Sequence, residues 1–314
     1  MSSPHVPVRE VLLVMTEYSS HLAAEIATQP DDWEAVQSRL DEARTLLPEE
    51  GETVAVVGCG TSAFMAQAYA VLREASGAGR TDAHVASEFP HTRDYDRVVA
   101  ISRSGTTTEV IDLLTALKER GQRTTAFVAT AGTPIPDIAD QTFLLPEVDE
   151  QSVVQTRFAT TTLALLRASL GEDLTEVVSQ ARAVLAEDEK SALEGLVDAE
   201  QVTFVGRGWS IGLAQEASLK LRESAQFWTE SYPAMDYRHG PISIAAPGRA
   251  VWALGPAPEG LADDVTATGA WFEDRPLDPM ADLVRVHRLC LAKSARAGLD
   301  PDQPRHLARS IILS

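Results

Sequence analysis

Short apolar runs, each cut off by a glycine- or hydroxyl-rich turn and followed by a helical rhythm, recur along this chain. Thr53-Val-Ala-Val-Val57 reads as a buried strand. It stops at Gly58-Cys-Gly-Thr-Ser62, and an alanine-rich helix follows to about Glu74. His84 to Ala86 is a short strand. Arg97-Val-Val-Ala-Ile101 is a clearer one, followed by Ser102-Arg-Ser-Gly-Thr-Thr-Thr108 and a helix from Glu109 to Arg120. Thr125 to Ala129 and Thr142 to Leu145 read as further strands. Strands alternating with helices predict a parallel α/β sheet. Before them, the mixed pattern from Val8 to Thr28 predicts a helix closed by Pro30. A second helix starts at Asp31-Asp32 and ends before Pro48.

Residues 152–200 read as mostly helical, and Gln201-Val-Thr-Phe-Val205 then opens a second strand. Its turn, Gly206-Arg-Gly208-Trp-Ser210, repeats the spacing of Gly58-Cys-Gly60-Thr-Ser62, 148 positions later. A glycine turn that twice joins a strand to a helix predicts two related α/β units in tandem. Each would be a parallel sheet between helices, in three layers. The expected division is a helical segment over 1–50, a first unit over 51–190 and a shorter second unit over 191–314. The tail reads as one amphipathic helix from Pro279 to Leu299, a proline-bearing link, and a strand-like Ser310-Ile-Ile-Leu313.

Charge narrows the function classes. Asp and Glu number 46 against 27 Lys and Arg, a net charge of −19 over 314 residues. Such a chain repels nucleic acid and anionic membranes, so neither is an expected partner. Two cysteines, Cys59 and Cys290, form no disulfide framework and fit a reducing cytoplasm. The apolar run Val11 to Met15 is too short for a signal sequence or a span. No Cys/His cluster has metal-ligand spacing, and neither a metal nor a cofactor is expected.

The hydroxyl-rich loop carries the clearest chemistry. A strand delivers Ser102-Arg103-Ser104-Gly105-Thr106-Thr107-Thr108 to a helix start, where free N–H groups and the helix dipole favour an anion. Neutral hydroxyls and a close backbone suit a phosphate monoester; an ordinary Ser/Thr helix cap is the plainer alternative. Gly58-Cys-Gly-Thr-Ser-Ala63 also fits the loose dinucleotide pattern G-x-G-x-x-A, or a tight strand–helix turn. No lysine follows it as in a P-loop.

Taken together, these residues resemble the sugar isomerase (SIS) domain family. Cys59-Gly-Thr-Ser62 and Ser102-Arg-Ser-Gly-Thr-Thr107 are similar to its paired signatures. Ala86-Ser-Glu-Phe89, Ser152-Val-Val-Gln-Thr-Arg-Phe158, Phe204-Val-Gly-Arg-Gly208, Glu216 to Glu223, Arg238-His-Gly-Pro241 and Pro304 to Ser310 follow in order. They resemble the amino-sugar branch, which includes the isomerase half of glucosamine-6-phosphate synthase. The resemblance implies two tandem SIS units. It implies a sugar-phosphate site in the turns holding Cys59, Gly60, Thr61, Ser62, Ser102, Arg103, Ser104 and Thr107. Val153 would meet the sugar through its backbone, with Gln155 in the same loop where the synthases have a small hydroxyl residue. Glu223 would be the acid/base, Lys220 would lie close to it, and His239 would assist ring opening, supplied by the neighbouring subunit of a homodimer. Arg309 stands where the synthases carry an imine-forming lysine, and arginine is a poor imine former. Lys220 and Lys293 are the lysines that could replace it.

The chemistry fits this assignment. Aldose–ketose interconversion moves a proton between adjacent carbons, which one carboxylate can do, while a histidine shuttles the ring proton. Charge pattern alone would make Glu216, Lys220 and Glu223 a surface ion-pair face. Ser2 follows Met1, and no glutamine-hydrolysing domain is expected ahead of the SIS unit. The expected activity is therefore an aldose–ketose isomerase/deaminase on an amino-sugar phosphate, glucosamine 6-phosphate to fructose 6-phosphate and ammonia being the leading example. A fructosamine 6-phosphate deglycase and a non-catalytic sugar-phosphate binder are the alternatives. A nicotinamide oxidoreductase ranks last because it leaves the second hydroxyl loop unexplained.

Overall fold

The computed structural model describes residues 20–313. Two compact units form, neither contiguous in sequence. One comprises residues 32–150, 157–174 and 308–313, the other residues 20–31, 151–156 and 175–307.

The first unit is built on a five-stranded parallel sheet: β1 (Val54–Gly58), β2 (Thr81–Val85), β3 (Arg97–Ser102), β4 (Thr124–Val128) and β5 (Gln141–Leu144), in the order β2-β1-β3-β4-β5. β1, β3 and β4 are buried along their whole length, as expected of strands covered on both faces. Ala55, Val57, Val98, Ala100, Ala126 and Val128 share a core with Val110, Leu113, Leu114 and Leu117 of the helix Thr108–Glu119.

The second unit holds a four-stranded parallel sheet: β6 (Gln201–Gly206), β7 (Thr229–Pro233), β8 (Arg249–Leu254) and β9 (Trp271–Asp274), in the order β7-β6-β8-β9. Both sheets thus place their second strand outside the first and their third on its other side. Both also need glycine at the end of the first strand. A Cβ on Gly58 would lie 2.7 Å from the Ser62 carbonyl carbon, and one on Gly206 would lie 2.4 Å from the Ser210 oxygen. Any side chain there would drive the following helix off the strand.

Three expectations change. The two helices that the N-terminal pattern predicts on either side of Pro30 run together as α1 (His21–Gln37), with Pro30 inside it, and a short helix Leu40–Ala43 follows. The residues 8–19 of that reading lie outside the described residues. Pro30 has no N–H for the Ile26 carbonyl, but the Gln29 side-chain amide donates to that oxygen at 3.3 Å. The break is thereby repaired locally. Second, the helix at the chain end is Pro279–Arg296. Third, Ser310 to Leu313 is not a strand; it joins no sheet. Ile311 instead accepts from the Thr108 N–H at 3.1 Å, and the Leu313 N–H donates to Thr108 Oγ1 at 2.9 Å. Among the described residues no helix is long and apolar enough to cross a membrane.

Candidate functional site

In a sheet of order 2-1-3-4-5 the chain reverses direction across β1 and β3, which leaves a crevice beyond their carboxyl ends. Both sequence-predicted loops open there. β1 ends at Gly58, and after Cys59 and Gly60 (φ +54°) the helix Thr61–Ala75 begins. β3 ends at Ser102, and the helix Thr108–Glu119 follows Thr107. Gly105 makes the second turn possible. Its φ is +67°, and a Cβ would fall 2.0 Å from Thr133 Oγ1.

Thr61, Ser62, Ser102 and Ser104 are all buried. Ser104 Oγ accepts from the Thr106 N–H at 3.2 Å, which shapes the loop. Ser102 Oγ is buried and has no hydrogen-bond partner. An orphaned hydroxyl at a switch-point crevice is what an oxyanion would satisfy. Thr107 Oγ1 lies 3.4 Å from Ser310 Oγ. The Cys59 thiol is pushed up to about 11 by burial, with the Glu109 charge adding. It is therefore no nucleophile at neutral pH.

The two arginines of the predicted site face protein carboxylates. Arg103 is buried, 3.4 Å from Glu150 Oε2, and donates to the Arg309 carbonyl at 3.1 Å. Arg309 pairs with Asp149, donates to the Glu150 carbonyl, and reaches Thr130 Oγ1 at 3.3 Å. The cation in the loop is thus neutralised by Glu150. Arg309 fastens the chain end to the 149–150 turn. The anion-binding capacity left at the crevice is hydroxyl and backbone.

The predicted acid/base group lies in the other unit, on the helix Ser210–Ala225. Lys220 is buried, hydrogen-bonded to Glu223 and 3.6 Å from Glu216. Glu223 is one-fifth exposed and lines a surface groove of about 340 Å³. A carboxylate that pairs with a buried ammonium and still reaches solvent is the kind of group a positioned proton transfer needs. Val153 and Gln155 belong to the same unit. Their segment is held where the Gln151 and Ser152 N–H groups donate to the buried Glu25 carboxylate, at 2.5 and 3.3 Å. The Gln155 side-chain nitrogen is buried without a partner. His239 closes the turn Asp236–His239 and is exposed. Lys293 donates to the Ala199 carbonyl and lies 4.0 Å from the Phe227 ring centroid. Burial brings its ammonium down to about 8.

The sequence did not single out His287 on the helix Pro279–Arg296. Its Nδ1 is 3.1 Å from Gln29 Nε2, its ring is buried, and burial with the nearby Lys220 charge pushes it down to about 3. A lone histidine in an apolar stripe carries no motif. Its sign on stability is definite. Between pH of about 6.5 and 3 the unfolded chain takes up a proton that the folded chain refuses. His287 therefore contributes stability fully above pH of about 6.5, and that contribution is lost as pH falls, by up to about 1.4 kcal/mol per pH unit. In thermal melts at pH 7.5, 6 and 5, His287→Gln should lose less Tm on acidification than the parent. Equal losses would show that His287 is not the group responsible.

The SIS domain family matches residues 47–170, a range that includes both switch-point loops. A glutamine–fructose-6-phosphate aminotransferase (isomerizing) of Corynebacterium efficiens is 26% identical over 319 residues, covering 83% of this chain and 51% of that protein. The protein of the same name from Symbiobacterium thermophilum is 28% identical over 363 residues, covering 94% and 59%. The chain thus spans little more than half the length of the curated relatives it matches. In fold it is similar to a glucosamine-6-phosphate deaminase of Thermotoga maritima, with a TM-score of 0.81 at 23% identity, covering 97% of this chain and all of that one. Residues 47–170, with the glycine and hydroxyl turns inside them, are thus similar to the SIS domain family.

Proposed function

We propose that the protein is an aldose–ketose isomerase and deaminase of an amino-sugar phosphate, with glucosamine 6-phosphate to fructose 6-phosphate and ammonia as the leading reaction. The observation that carries this reading is a carboxylate, Glu223, held by Lys220 and open to a groove, in a chain that also presents an orphaned hydroxyl, Ser102, at a switch-point crevice. The related proteins' names, an aminotransferase that isomerises fructose 6-phosphate and a glucosamine-6-phosphate deaminase, support the same substrate class.

In this reading the phosphate sits against Ser62, Ser102, Ser104 and Thr107. Glu223 removes the proton from C2 of the opened sugar and returns it at C1. Lys220 positions Glu223 through their hydrogen bond and balances the charge that develops on the enolamine oxygen. The product is an imine at C2; water adds there, the C2–N bond breaks, and ammonia leaves. His239, exposed in one chain, assists ring opening from the neighbouring subunit of a homodimer.

Incubation with glucosamine 6-phosphate should yield ammonia and fructose 6-phosphate in equal amounts. Binding of hexosamine phosphates without any turnover would favour a non-catalytic binder. Ser102→Ala should weaken phosphosugar binding by about tenfold or more, the worth of one hydrogen bond to a charged group. It should leave Tm unchanged, because that hydroxyl pairs with nothing in the protein. Unchanged affinity in calorimetry would remove Ser102 from the site.

A further inference from the structure

A cavity of about 530 Å³ lies within the first unit, where the last turns of the helices Thr61–Ala75 and Arg157–Ser169 meet the segment 40–50. The helix Thr61–Ala75 carries Thr61 and Ser62 of the proposed phosphate turn at its start and reaches this cavity at its end. Its 15 residues set the two roughly 22 Å apart. Leu40, Leu47, Tyr69 and Leu170 give the cavity an apolar wall, and Arg73 adds a buried cation.

Arg73 is 1% exposed. Its Nη1 donates to the Glu52 carbonyl at 3.0 Å and to Thr81 Oγ1 at 2.8 Å, and its Nη2 to the Glu49 and Ala78 carbonyls at 2.7 and 2.8 Å. All four acceptors are neutral. The other buried arginines are treated differently. Arg97, Arg103, Arg167 and Arg285 each meet a carboxylate, at 2.9, 3.4, 2.8 and 2.6 Å. Arg288 is held by carbonyls but has the charges of Glu189 and Glu187 nearby. Glu52 does not serve Arg73, because its carboxylate is taken by Arg97 and Arg123 at 2.9 and 3.2 Å. A cation removed from water is costly unless an opposite charge accompanies it. As a clamp, Arg73 explains the four carbonyl and hydroxyl contacts. It does not explain the missing counter-ion, nor the space left open beside it in a chain with 46 acidic residues. The Arg73 Nε–H also donates to no described residue. At the cavity's exposed rim Arg44 and Glu50 bring opposite charges, so the charge left on the inner wall is that of Arg73.

We propose that this cavity is a second small-molecule site, which takes an organic carboxylate with an apolar body. The carboxylate meets the Arg73 guanidinium and supplies the charge that the protein does not. The body packs on Leu47, Tyr69 and Leu170, which an inorganic anion would leave unmatched. The cavity and the switch-point crevice lie at opposite ends of one helix, so the two ligands do not compete for donors.

The test is calorimetry on the full chain with 3-phenylpropanoate and, as its neutral counterpart, 3-phenylpropanamide. The acid should bind about tenfold or more tighter than the amide, the worth of a charge-assisted contact. Ala168→Leu, which puts a larger side chain into the cavity wall, should abolish binding of the acid. Ser102→Ala, at the crevice, should leave it unchanged. Arg73→Met should remove the preference for the acid. Circular dichroism establishes that each variant is folded; if Arg73→Met is not, the acid–amide comparison and Ala168→Leu decide. Equal binding of acid and amide overturns the inference. Undiminished binding to folded Ala168→Leu overturns it too, because the acid then sits elsewhere. Loss of binding in Ser102→Ala places the acid in the crevice and also overturns it. Failure of both probes to bind at millimolar concentration overturns it outright, and the phosphosugar reading stands in every case.

Discussion

Glu223→Gln should lower kcat on the amino-sugar phosphate by about 10²–10⁴-fold, the range that a positioned acid/base group supplies. The substitution keeps the shape of the side chain and removes its ability to accept a proton. KM should change little, because phosphate recognition is assigned to the hydroxyl loops and not to this carboxylate. Folding should be almost unaffected. The Glu223 side chain is one-fifth exposed, and Lys220 retains Glu216 at 3.6 Å. A folded variant with a normal melting temperature and kcat within about threefold of the parent would remove Glu223 from the chemistry.

The second large effect is on stability. Arg285 is fully buried. It reaches Asp282 Oδ1 at 2.8 Å, Glu273 Oε1 at 2.6 Å and the Ala192 carbonyl at 2.8 Å. Its guanidinium lies 4.7 Å from the Trp252 ring centroid, and the indole N–H donates to Asp282 Oδ2 at 2.8 Å. Even so, burial lifts the Asp282 carboxyl to about 6. Arg285→Leu would leave the fully buried Asp282 carboxylate with no cation, while Glu273 keeps Arg275 at 3.4 Å, at a cost of about 3–5 kcal/mol. The expected result is a large drop in Tm at pH 7.5, measured by calorimetry. The variant should recover part of that loss near pH 5, where Asp282 can be protonated. A drop of under 1 °C would show that water or another cation compensates the pair.

What the sequence discloses depends on how far apart the interacting residues lie. β1, β3, β4 and β6 are continuous apolar runs that end in glycine or hydroxyl turns, and the signal is local. β7, Thr229-Glu-Ser-Tyr-Pro233, and β9, Trp271-Phe-Glu-Asp274, are partly exposed and polar, so their pattern does not mark them as strands. β8 is apolar, but it follows Pro247-Gly248 and lies outside the repeated glycine signature. The converse error is Ile311-Ile-Leu313, which has a strand's composition. These residues are 46–73% exposed and meet the start of a helix instead of a sheet edge. Pro30 reads as a terminator because its repair, the Gln29 amide, is a side-chain contact with no propensity signal.

The hydroxyl loops were legible for the same reason as β1 and β3: seven consecutive residues carry the donors, the glycine and the helix start. The fate of the charges was not. Arg103 meets Glu150 across 47 positions, and Arg309 meets Asp149 across 160. No spacing rule anticipates such partners. A net charge of −19 is compatible with the proposed anionic ligand, because the donors proposed for it are local hydroxyls and backbone N–H groups.

The central claim is a proton transfer by Glu223 between adjacent carbons of a phosphosugar. It is tested most directly by NMR of glucosamine 6-phosphate incubated with the protein in D₂O. The account predicts fructose 6-phosphate carrying deuterium at C1 with the parent protein, and none above background with Glu223→Gln. Deuterium entering at the same rate with the variant, or none entering while substrate is bound by the parent, would contradict it.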